Sequence, residues 1–296
     1  MEGRVKAGGQ AVIEGVMMRS GEQMAVAVRS PDGSISVHRE IVYPLAKRYP
    51  LLAWPVIRGA VSLIESLQMG IRALMFSANA QAGSAEEKLS PTEMAATLAL
   101  ALGAAVLLFI LLPTFLTSLA GRYIARGILL NAVEGLIRLA VVTGYIAGIA
   151  LIPDIVRVLE YHGAEHKVIN ALESPDSVTV AAAREQSTAH VRCGTSFILM
   201  VAVVSVVIFS FFGWPSIWGR VGIRLLMLPV VAGVAYEMIM LAARSQSGVV
   251  RLLAAPGLWL QRLTTREPDD GQLEVAIAAL RGCLEGDEDG VKCDQL

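Results

Sequence analysis

The chain has 296 residues, 54% of them hydrophobic and 17% charged, with a formal net charge of −1. A mean hydropathy of +0.58 is too apolar for an ordinary soluble protein, and the near-neutral charge argues against a general nucleic-acid binder. The three cysteines, Cys193, Cys283 and Cys293, are an odd and scattered set that gives no disulfide framework and suits a reducing compartment.

The amino terminus, "MEGRVKAGGQAVIEGVMM", has no positive segment leading into an apolar core. No cleavable signal peptide is expected, and the first membrane span should act as its own insertion signal. Short alternating, β-branched runs follow, separated by "SPDGS", whose Pro-Asp-Gly chemistry makes a tight turn. They predict a small antiparallel sheet over about Gln10 to Val42, within a β region of residues 1–50. After Pro55 the spacing becomes helical, with Ile57, Val61, Ile64, Leu67, Ile71, Leu74 and Met75 on one face. This helix either lies on the membrane surface or covers the sheet. With the polar linker "NAQAGSAEEKLSP" it fills residues 51–93.

Residues 94–244 read as a membrane domain. Four apolar runs, at about 95–119, 135–153, 194–214 and 221–243, approach or exceed the roughly 20 residues a helix needs to cross the hydrocarbon core. Four spans put both termini on one side, together with a loop over 154–193, and the larger share of Lys and Arg near the span ends makes that side the cytoplasm. Beyond the last span, residues 245–296 hold an interfacial stretch around Trp259, a helix starting near Asp269 and an acidic tail. The fold class expected is mainly α: a four-helix polytopic membrane domain with a small α+β cytoplasmic amino-terminal domain.

The loop over 154–193 carries the chemistry. In "YHGAEHK" a helix would set His162 and His166 at i and i+4 on one face, with Glu165 beside them. The order H-x-x-E-H is that of inverted zinc peptidases, whose histidines bind the metal and whose glutamate is the base for water. The bland alternative is a solvated helix with two titrating histidines, and Gly163 weakens the helix. A second cluster, "HVRCGTSF", adds His190 and Cys193 three residues apart before the third span, with Arg192 between them. Glu237 is an ionisable residue inside the last span and a candidate third ligand, with His166, Lys167 or a metal as its expected partner. Near the start, Glu14 and Arg19 read either as an ion pair on the sheet or as groups that a docked segment brings to the site, the sheet then acting as a lid.

Four segments, "GGQAVIEGVMMR", "YHGAEHK", "HVRCGTSF" and "DDGQLEVAIAAL", resemble the signature segments of the YqhQ-like family of bacterial integral membrane proteins, in order and over nearly the whole chain. The resemblance implies a multi-pass protein of the bacterial inner membrane. The family's description as predicted metal-dependent enzymes implies a metal ion, without naming a substrate. Zinc suits imidazole, thiolate and carboxylate donors together. Two functions follow from the donor count. Three protein ligands and an open position make a zinc-dependent hydrolase with Glu165 as base. A closed shell that includes both His190 and Cys193 makes a structural staple in a membrane scaffold or assembly factor, which would meet its partner through the amino-terminal sheet and the helix after Asp269. A cation transporter or channel fits less well, because homo-oligomerisation would be needed to form a pore.

Overall fold

A computed structural model describes residues 7–82, 90–120, 127–175, 177–244 and 257–284. The linker over 83–89, the turn from Arg122 to Arg126, residues 245–256 of the interfacial stretch and the acidic tail lie outside the described residues. The chain opens with four strands, β1 (Ala7–Val12), β2 (Gly15–Ser20), β3 (Gln23–Arg29) and β4 (Ile35–Ile41), paired antiparallel in the order β1-β2-β3-β4. The expected turn is present: Gly33 adopts a φ of +86°, and Asp32 accepts from the backbone and hydroxyl of Ser34.

Strand alternation divides the sheet's side chains between two layers. Val16, Met18, Ala25 and Ala27 face a core shared with helices α5 (Pro153–Glu173) and α10 (Asp270–Leu284). Met17, Met24, Val26 and Val28 face Met69 and Ala73 of α1 (Ile57–Gln81). Helix α1 therefore does cover the sheet, but through Met69, Gly70, Ala73 and Ser77 and not through the stripe predicted from spacing. Of that stripe Ile57, Ile64, Leu67 and Leu74 stay exposed. The sheet and the helix after Asp269 share one core through their facing sides.

Among the described residues, three helices are long and apolar enough to cross a membrane: Thr92–Leu119, Leu129–Ile149 and Ile217–Ala242. The first combines α2 (Pro91–Val106) and α3 (Leu112–Ala120) across a π turn at Leu107–Leu111. The second is α4 (Gly127–Ile149), and the third belongs to α8 (Ile217–Arg244). The remaining apolar run forms α7 (Gly194–Ser210), a shorter helix of 17 residues. Helix α4 starts well before the predicted residue 135 because the charges there are paired inside the bundle. Glu134, 2% exposed, accepts from Arg138, Arg224 and Thr114. Arg138 Nε also donates to the Phe109 carbonyl at 3.2 Å. Pro113, four residues on, has no N–H to offer that carbonyl. The predicted end of this span at 153 fails for a simpler reason: Pro153 is the first residue of α5.

Candidate metal centre

Helix α5 forms as the sequence predicts, with Pro153 at its first position and Asp154 in its first turn. The helix is buried from Tyr161 onward on several faces, between the sheet, α10 and the short helices α6 (Val180–Arg184) and α9 (257–264). Its central turn carries His162, Glu165 and His166. Packing explains Gly163, since a Cβ there would lie 2.0 Å from the Arg266 carbonyl oxygen. Only a glycine lets the segment after α9 pass this close, and that segment donates from Arg266 N to the Leu159 carbonyl at 2.9 Å.

The close passage orients the first histidine. Nδ1 of His162 lies 2.7 Å from the Thr264 carbonyl, and Nδ1 of His166 lies 2.5 Å from the Thr188 carbonyl. A carbonyl only accepts, so in each neutral ring Nδ1 carries the hydrogen and Nε2 holds the lone pair. This is the arrangement by which outer carbonyls fix metal-ligating histidines. Cys193 caps the start of α7, its sulfur accepting from Thr195 N at 3.4 Å and lying 3.3 Å from His162 Nε2. His162, His166 and Cys193 each offer a ligand atom, and the three atoms lie within 4.8 Å of one another. Two imidazoles and one thiol are a donor set that suits zinc.

Glu165 is buried beneath the amino-terminal motif. One carboxylate oxygen lies 3.9 Å from Nε2 of both histidines. Burial raises its pKa above the ordinary carboxylate value, against the opposing effects of His162 and of the Gly9 N–H that donates to it. A Cβ on Gly9 would fall 2.9 Å from the Glu165 Cγ and 2.5 Å from the Met17 carbonyl, so this position also accepts only glycine. Neither Glu14 nor Arg19 is brought to the cluster as the docked-lid alternative expected. The group that the amino-terminal motif brings to the site is the backbone of Gly9.

Glu14 and Arg19 lie elsewhere and do not pair with each other. Glu14, at a φ of +50°, binds Arg157 of α5 through both oxygens and accepts from Tyr161, which clamps the β1–β2 turn to the helix. The Arg157 guanidinium holds the Glu14 carboxyl below its ordinary range, while burial pushes the Tyr161 phenol up to about 12. Arg19 turns back to the Gly21 carbonyl.

His190 lies beside the three-atom set and not in it. Its ring is 5.8 Å from that of His166, and both its backbone groups are held by the buried Gln261 side chain. Burial, with Arg192 nearby, lowers its pKa to about 4. Its Nε2 makes no hydrogen bond among the described residues; the Glu173 carboxylate, itself paired with Arg192, lies 3.7 Å away. Glu237 is not brought to the cluster either. It is clamped by Arg58 of α1, at 2.6 and 2.5 Å, where α1 crosses α8. Lys167 points away, to the Arg184 carbonyl and Glu267.

Sequence reasoning missed Gly9, Thr188, Thr264 and Gln261. Their contributions are made by backbone atoms or by one amide on a distant segment, which leaves no residue-type signal. It also missed a cavity of about 560 Å³ beside the cluster. His162, Cys193, Arg192 and Gly9 line it together with apolar groups including Phe197, Tyr236 and Met240.

The architecture defines a class: a mainly helical protein with membrane-length helices, whose amino-terminal sheet closes over a His/His/Cys cluster. The chain belongs to the DUF1385 family, described as proteins of unknown function, whose profile matches residues 54–286. It is 36% identical over 292 residues to the uncharacterized protein YqhQ of Bacillus subtilis (strain 168), covering 94% of this chain and 92% of that one. No solved structure matches the chain.

Proposed function

We propose that the chain is a zinc-dependent hydrolase of the bacterial inner membrane, cutting a peptide, amide or ester bond at the cytoplasmic surface. The observation that carries the reading is the three-donor set of His162, His166 and Cys193, two of which, His162 and Cys193, line a cavity. Three protein ligands leave a position for water or substrate, as catalytic zinc sites do. Zinc held there would supply a Lewis acid and lower the pKa of water. Glu165 stands within 3.9 Å of both histidine nitrogens and is buried with a raised pKa. It is placed to take a proton from the attacking water and return it to the leaving group. The apolar cavity wall admits the substrate, and the sheet excludes bulk water from the carboxylate.

In this reading all four apolar runs cross the bilayer. At 1.5 Å per residue α7 covers about 25 Å, and continuing through Phe211 and Phe212 brings it close to the hydrocarbon thickness. Both termini and α5 are cytoplasmic, on the side richer in Lys and Arg. The exposed Ile57, Ile64, Leu67 and Leu74 of α1 rest on the lipid.

The test is metal content and hydrolysis by full-length protein in detergent. Wild type should carry about one zinc per chain and the His162→Ala, His166→Ala double variant none. Glu165→Gln should keep the metal and lose cleavage of a panel of fluorogenic peptide and ester substrates. Wild type that takes up no stoichiometric zinc from excess would sink the proposal. A fully loaded site whose shell includes His190 would return the scaffold reading.

A further inference from the structure

The other end of α7 carries a second polar cluster with the opposite chemistry. From Met94 to Ile152 and from Gly194 to Tyr236 the Asp, Glu, Lys and Arg residues are Arg122, Arg126, Glu134, Arg138, Arg220 and Arg224: five arginines against one glutamate. Arg122 and Arg126 lie outside the described residues. Glu134 is shared between Arg138 and Arg224. Arg220, one turn before Arg224 on α8, is 6% exposed and stacks on Trp214 with its guanidinium carbon 4.0 Å from the ring centroid. Among the described residues, Nε and Nη1 of Arg220 and Nε of Arg224 make no hydrogen bond.

Buried N–H donors are costly when unmet, and here they belong to fixed positive charges that exceed their one carboxylate. Arg220 and Arg224 line a cleft with Asn131, Phe209, Gly213 and Ile223. Its volume of about 10 Å³ suits a single oxygen atom and not a whole organic molecule. Around it, Phe211, Trp218 and Leu226 are largely exposed, as lipid-facing side chains near a headgroup level are. Guanidinium groups bind phosphate oxygens well, in a planar fork that matches two of them at once.

We propose that this end of the bundle binds the phosphate of an anionic phospholipid, one oxygen entering the cleft to accept from Arg220 and Arg224 while the acyl chains lie along the exposed apolar side chains. The site stands about 25 Å along α7 from Cys193 and does not depend on the metal reading.

Native mass spectrometry of the full-length protein in neutral detergent tests the proposal, with phosphatidylglycerol and phosphatidylcholine of identical chains added in equal amounts. Wild type should retain phosphatidylglycerol over phosphatidylcholine by roughly tenfold, the size of one charged hydrogen bond. Arg220→Gln should bring the ratio to parity, and Arg72→Gln, on the exposed face of α1, should leave it unchanged. The wild-type ratio stands without any variant, and Arg220→Lys, which keeps the charge, serves if Arg220→Gln fails to fold. A parallel arm follows the melting temperature in inorganic phosphate. Stabilisation of wild type and not of Arg220→Gln, with no lipid preference, would uphold the oxyanion site and assign it a soluble ion, overturning the lipid. Equal lipid retention with no phosphate effect, or an undiminished preference in Arg220→Gln, would overturn the site.

Discussion

Helix α7 separates two polar clusters whose construction differs in sign. At its start, His162, His166 and Cys193 turn lone pairs toward one another, and Glu165 is buried beside them with no Arg or Lys partner among the described residues. Near its end, Arg138, Arg220 and Arg224 present N–H donors around the single carboxylate of Glu134. The first cluster is rich in acceptors and is the one proposed to take a cation; the second is rich in donors and is the one proposed to take an anion. The two glutamates therefore act differently. Glu134 neutralises buried charge and holds α3, α4 and α8 together, whereas Glu165 is held at a cost in stability because burial disfavours its charged form.

Replacing each glutamate by glutamine breaks that comparison most directly. Glu134→Gln leaves two buried guanidinium groups without their counter-charge and should cost about 3–5 kcal/mol. Thermal unfolding in detergent reads this as a large fall in melting temperature or as a failure to accumulate. Glu165→Gln removes a buried carboxyl that has no Arg or Lys partner among the described residues and should leave stability unchanged or raise it by about 1 kcal/mol. Equal losses in the two variants would mean that Glu165 is a structural anchor as well, which would weaken its assignment as a proton carrier.

A smaller effect sharpens the account of the first cluster. Gly163→Ala sets a methyl group against the Arg266 carbonyl and should cost about 1–3 kcal/mol through overpacking. The displaced segment carries the Thr264 carbonyl that orients His162, so zinc affinity should fall about 10-fold or more, as it does when an outer partner is lost. Gly144→Ala, in α4 with open space at its Cβ, is the control. Unchanged zinc affinity in Gly163→Ala would detach the Thr264 carbonyl from the orientation of His162.

Features carried by side-chain type and spacing were legible in the sequence. The i, i+4 histidines, the helix begun at Pro153, the Pro-Asp-Gly turn and the alternation of the strands each follow from local rules, and Cys193 lies close to His162 and His166. What failed was partner choice across the fold. Glu237 was given His166, Lys167 or a metal as its partner because Arg58 lies 179 positions away in the chain, and the second span was started late because Glu134 and Arg138 look unfavourable in lipid until Arg224 is seen beside them. The apolar stripe of α1 left membrane surface and sheet open as its neighbour, because spacing reports hydrophobicity and not whether that neighbour is protein or lipid. His190 was counted with the ligands, yet the Gln261 amide fixes its backbone and sets its ring outside the three-atom set.

The smallest predicted effect concerns the clamp between the sheet and α5. Arg157 holds the Glu14 carboxyl below its ordinary value of about 4.5. A depressed folded-state pKa contributes stability that is fully present above the unfolded-state value and is lost as pH falls through it toward the folded-state value. Unfolding at pH 7 should cost about 0.5–1 kcal/mol less in Glu14→Gln than in wild type, given that the pair is partly exposed, and the two should converge below about pH 4. Because the same clamp holds the β1–β2 turn while β1 presents Gly9 to Glu165, hydrogen exchange at Gly9 should quicken in the variant at neutral pH and match wild type in acid. Equal exchange at both pH values would show that the sheet keeps its place over the cluster through the packing of Val16, Met18, Ala25 and Ala27 on α5 and α10 alone, leaving Glu14 without a part in closing the site.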